Sequence, residues 1–184
     1  MLTEKTKNFI ERVASRMQGD VSIEEPNSYN IDEIKGLLKD MGCVIEYDAD
    51  DNYYCNKVIN LKFSDFTDDP IEKEGAMSKN EKMKILFHEI WHFISEEIHP
   101  QDDDSESKPI EYAPISVNYK EATANYFMRA MIFPMETFVK SIIENISKDG
   151  MCNVFNVAKK FNTDYVDVIA RGNDLDLWNA KGGI

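Results

Sequence analysis

Apolar residues recur at helical spacing along most of this chain and at strand-like density in only one region. Phe9, Ile10, Val13 and Met17 share one side of a helix predicted over residues 4–18, which Gly19 ends. A second helix opens at Asn30, with Glu33 at capping-box spacing, and Gly42 stops it. CVIEY and a segment around YYCNKVINLKF are rich in β-branched and aromatic residues, and the turn-like DADDN between them predicts a hairpin or meander. SDFTDDPIEKEG reads as a loop. A longer helix begins at Ser78, again with a glutamate (Glu81) three residues on, and runs to about Glu97.

Residues 99–118 then form a long acidic loop with three prolines. Asn118 caps a helix over KEATANYFMRAMIF, which Pro134 ends or restarts. Another helix covers about 135–147 and stops near Gly150, and NVFNVAKKFNTDYVDVIARGND reads as helix–turn–helix. These pieces predict an α+β fold, mostly helical, with a small sheet beside the helix that starts at Ser78. Residues 1–150 form the main domain, and 151–184 a helical appendage packed on it.

The composition changes this picture little. The 184 residues are 42% hydrophobic and 30% charged, as in ordinary globular proteins. A net charge of −13 repels phosphate backbones and argues against nucleic acid as a partner. In the second helix of the C-terminal pair, Asp164 and Asp167 stand against a single Arg171, which is poor equipment for reading DNA. No apolar run approaches the length of a membrane span, and the N-terminal residues lack the apolar core of a signal peptide. Cys43, Cys55 and Cys152 are few, odd in number and dispersed, which suits a reducing cytoplasm.

The chemistry concentrates in LFHEIWHFISEE, residues 86–97. A helix apolar on nearly every side is normally buried, and polar groups buried with it need partners. His88 and His92 lie one turn apart on the same face, where two imidazoles can grip one metal ion. Glu89 points about a quarter turn away and flanks such an ion without saturating it. HExxH on a helix is for that reason a zinc-peptidase signature, although histidines bonded to backbone or carboxylate give the same spacing.

A catalytic zinc takes a third protein ligand. His99, the remaining histidine, sits roughly 10 Å further along the helix axis and precedes Pro100, so it belongs to a loop mouth. EATAN, residues 121–125, offers Glu121, with Ala122 and Ala124 small enough for helices to approach closely. Glu121 can either complete the zinc site or close a capping box with Asn118. Asn125, one turn on, can hydrogen-bond the free ring nitrogen of a ligating histidine.

HEIWH, followed after an acidic loop by EATANYFMRAMIFP, resembles the ImmA/IrrE family of metallopeptidases over residues 78–137. The resemblance implies a minimal thermolysin-like zincin core with Zn2+ held by His88, His92 and Glu121. It further implies Glu89 as the catalytic glutamate and Asn125 at the family's asparagine position. The implied activity is endopeptidase cleavage of a helix–turn–helix transcriptional repressor of a phage or mobile element. Two departures stand out: Trp91 replaces the usual glycine, and Met128 a common alanine. Trp91 either packs into the core or crowds the cleft. The competing function is a zinc-stabilised protein-binding module without turnover. Tyr112 and Tyr119 are candidates for stabilising an oxyanion, with packing the plainer role for both.

Overall fold

A computed structural model of the protein describes residues 2–21, 29–47, 51–61, 78–97 and 117–178. The loop read over SDFTDDPIEKEG, most of the acidic loop, His99, Asp102–Asp104 and Tyr112 lie outside the described residues. The helices are α1 (Glu4–Asp20), α2 (Ile31–Asp40), α3 (Lys79–Glu97), α4 (Val117–Ile132), α5 (Met135–Glu144), α6 (Val154–Lys160) and α7 (Tyr165–Asp174). The strands are β1 (Val44–Tyr47), β2 (Tyr53–Cys55) and β3 (Val58–Leu61). The fold is α+β and mostly helical, with one three-stranded mixed sheet among the described residues.

The caps form as the sequence implies. Asn30 Oδ1 accepts from the amides of Asp32 and Glu33 at 3.0 and 3.3 Å, and its own amide donates to Glu33. Each bond satisfies a backbone or side-chain donor at the helix start. Gly42, at φ +82°, closes α2 in a left-handed turn, with Cys43 N donating to Leu38 O at 2.8 Å. Ser78 and Glu81 close the capping box of α3. Asn118 differs from expectation: α4 already starts at Val117, so Asn118 lies inside its first turn.

The sheet also departs from a simple meander. The tight reversal falls within the second segment, at Asn56 and Lys57, whose φ values of +50° and +64° make a two-residue connection from Cys55 to Val58. That backbone matches the twist of paired strands. β3 therefore becomes the central strand, antiparallel to β2 and parallel to β1. Burial explains the choice. Ile59 and Leu61 of β3 are fully buried, whereas no residue of β1 or β2 is, so the most apolar strand takes the middle. β2 becomes an edge strand lying against α3.

α3 packs on α4, which in turn packs on α1. Trp91 is buried and stacks on Phe127 at 4.9 Å, with Phe9 edge-on at 6.5 Å. The indole thus fills the core and stays out of the cleft. Phe133, Phe138 and Phe161 form a second aromatic cluster joining α4, α5 and α6. Truncating a ring so buried typically costs about 3–5 kcal/mol.

The C-terminal helices are fastened by charge as well as packing. Arg171 is fully buried and donates to both oxygens of Glu11, at 2.6 and 3.0 Å, with Tyr126 beneath its guanidinium. Arg129 grips Asp174, and Lys84 pairs with Asp167. Trp178 lies directly on Gly172, where a Cβ would fall 2.1 Å from the indole, and donates to Ile169 O at 2.9 Å. Among the described residues no helix is long and apolar enough to cross a membrane.

Candidate metal centre

The pattern of α3 decides what its polar groups can reach. Met83, Leu86, Phe87, Ile90, Trp91, Phe93 and Ile94 are buried on its flanks. That leaves His88 and His92 on one narrow open stripe, with side chains 19% and 18% exposed. Their Nε2 atoms lie 3.1 Å apart. α4 brings Glu121 to the same point, with Oε2 3.1 Å from His88 Nε2 and Oε1 3.4 Å from His92 Nε2. Taking one ligand atom from each residue, all three lie within 4.8 Å of one another. Ala124 is buried, letting the helices approach, whereas Ala122 faces solvent and takes no part.

With Glu121 ionised, protons alone cannot give each of the three contacts a hydrogen bond of its own. An Nε2 carries at most one proton, so the two rings offer at most two protons to three contacts, and any further contact has to share one. If both imidazoles donate to Glu121, two N–H groups face each other. If His92 instead donates to His88, the lone pair of His88 is spent and no donor faces Glu121. A cation at the common point relieves all three contacts. Four-coordinate ligands at about 2.0–2.1 Å from zinc sit roughly 3.3 Å from each other, close to the separations observed. His88, His92 and Glu121 could hold a metal ion.

Glu89 lies beside this group and is 7% exposed. Burial, and secondarily the negative charges of Glu121 and Asp51, push its carboxyl up to about 7, against a hydrogen bond from the backbone of Tyr54. His92 is shifted down, chiefly by burial and then by its neighbour His88, with Glu121 opposing. Among the described residues no lysine or arginine pairs with Glu89 or Glu121.

The remaining candidates separate. Asn125 is half-buried one turn after Glu121 but makes no hydrogen bond to either imidazole among the described residues. Tyr119 Oη is bonded to Thr6 Oγ1 at 3.0 Å, which gives it a packing role between α4 and α1. The Tyr54 backbone, on the edge strand, is a contributor the sequence could not announce, because a main-chain amide leaves no mark in residue type. Asp51 likewise gains its influence only through the position of β2.

No family model, curated protein or solved structure matches the chain.

Proposed function

We propose that the protein is a zinc-dependent endopeptidase with a thermolysin-like core of the ImmA/IrrE kind, cleaving a helix–turn–helix repressor of a phage or mobile element. The observation that carries this reading is the convergence of His88, His92 and Glu121 on one point with buried Glu89 alongside. Zinc, when bound, supplies a Lewis acid that polarises a scissile carbonyl and makes a water nucleophilic near neutral pH.

The chain's own residues do the rest. Two neutral imidazoles and a carboxylate suit zinc better than calcium or magnesium, which prefer oxygen alone. Glu89 takes the proton of the attacking water at its carboxylate and returns it to the departing amine. The hydrogen bond from the Tyr54 backbone fixes the orientation of that carboxylate. Core packing of Trp91 leaves the open stripe of α3 clear, so the missing glycine does not weigh against activity. The free thiols of Cys43, Cys55 and Cys152 fit a cytoplasmic setting. Arg171, paired with Glu11 inside the protein, is withdrawn from any DNA phosphate, which supports a protein substrate.

The test combines zinc counting on wild type and Glu121→Ala with cleavage of a candidate repressor by wild type and Glu89→Gln. One zinc per chain, lost in Glu121→Ala, and cleavage lost in Glu89→Gln are the expected results. Equal cleavage by wild type and Glu89→Gln rejects the role given to Glu89. Bound zinc with no proteolysis of any partner reassigns the protein to a zinc-stabilised binding module.

A further inference from the structure

We infer a second binding site, unconnected with peptide cleavage: a groove for a small amphiphile that carries an anionic head on an aliphatic body. The groove lies between α1, α2 and the last turns of α3, and encloses about 470 Å³. Ligand pockets run from roughly 300 to 1,000 Å³, so one small molecule fits. Its walls are apolar: Phe9 and Val13 from α1, Leu37 from α2 with Met41 capping that helix, and Ile94 from α3. Met41 remains 44% exposed at the mouth of this trough.

Charge selects the class of occupant. Arg12 and Arg16 stand one turn apart on the α1 wall, in a chain whose net charge is −13. Two carboxylates also line the groove, and each is already matched: Asp20 by Arg16 at 3.2 Å, and Glu97 by Lys57 at 3.0 Å. Arg12 is exposed and has no hydrogen-bond or ion-pair partner among the described residues. One uncommitted guanidinium beside an apolar trough fits a single carboxylate, sulfate or phosphate head with a hydrocarbon tail, and its fork binds such oxyanions in bidentate fashion. A second copy of this chain is a poor occupant, because two bodies of charge −13 repel.

The probe is laurate, kept below its micelle concentration and titrated calorimetrically into the full chain. Dodecyltrimethylammonium, with the same tail and the opposite charge, is the comparator. The expected result is saturable binding of one laurate per chain, with the cationic amphiphile about tenfold weaker, the ratio that about 1.4 kcal/mol of head-group selection gives. Arg12→Gln weakens laurate by about the same factor and does not weaken the cationic probe. Met41→Trp, which fills the trough at an exposed position, abolishes binding while leaving the unfolding transition intact. Equal affinity for both amphiphiles, or laurate binding indifferent to both substitutions, overturns the proposal. So does concentration-dependent dimerisation that Met41→Trp prevents, since the groove would then belong to a second copy. None of these readouts requires zinc or proteolysis, so they stand or fall apart from the peptidase reading.

Discussion

Two places in this molecule draw ionisable groups out of water, and they balance their charges differently. At the C-terminal anchor each cation, fully buried in Arg171 and half-buried in Arg129 and Lys84, meets its own anion: Arg171 with Glu11, Arg129 with Asp174, Lys84 with Asp167. At the α3–α4 crossing, two imidazoles and Glu121 converge beside Glu89, and no lysine or arginine pairs with either carboxylate among the described residues. The anchor is electrically complete and serves structure. The crossing is instead a place that could hold a metal ion. Burial of polar residues is therefore uninformative until their partners have been identified.

That contrast can be broken most forcefully at Glu89. Glu89→Gln is expected to lower repressor cleavage by about 10²–10⁴-fold while keeping one zinc per chain, measured by metal analysis beside a cleavage assay. Retained cleavage would place the proton transfer elsewhere.

Arg171→Met tests the other region. It strands Glu11 beside apolar neighbours and should remove about 3–5 kcal/mol of stability in denaturant unfolding, without changing zinc stoichiometry in the folded fraction. A loss below about 1 kcal/mol would mean that the buried pair is near neutral in net effect.

Metal sharpens the comparison further. Zinc at about 100 times its dissociation constant should stabilise the wild type by about 2.7 kcal/mol and Glu121→Ala far less, read as a shift in Tm. In metal-free protein the two regions should respond with opposite sign to the loss of a charge. Because the Glu89 carboxyl titrates near 7 when folded and near 4.3 when unfolded, its protonated form favours the fold. The associated stability is fully present below about pH 4 and is lost as pH rises through 7, by up to about 4 kcal/mol. Metal-free Glu89→Gln should accordingly be more stable than metal-free wild type at pH 8, and unfolding curves that coincide at that pH would count against an uncompensated carboxylate.

The smallest effect is expected at Asp176, whose bond to Lys7 lies at the surface, with Asp176 76% exposed. Asp176→Asn keeps a residue tolerant of the positive φ there and should cost less than about 1 kcal/mol, and nothing at high salt.

Much of the architecture was legible in residue order because its causes are local. The caps at Asn30 and Ser78, the stop at Gly42 and the restart at Pro134 depend on groups three or four residues apart. The i, i+4 placement of His88 and His92 is likewise a property of one helix. The sheet order was less legible. Asn56–Lys57 lacks the glycine that usually marks such a reversal, and parallel pairing of β1 with β3 is decided by which strand the core buries.

Sequence by itself determined the helices, the histidine stripe and the acidic balance, since hydrogen-bonding range and helical period act within a few residues. Tertiary structure alone decided that Glu121 faces the histidines while Asn118 does not cap, that Trp91 turns to Phe127, and that Arg171 goes inward to Glu11. Each of those outcomes depends on a partner from a distant part of the chain, chosen by competition among packed faces that no local rule encodes.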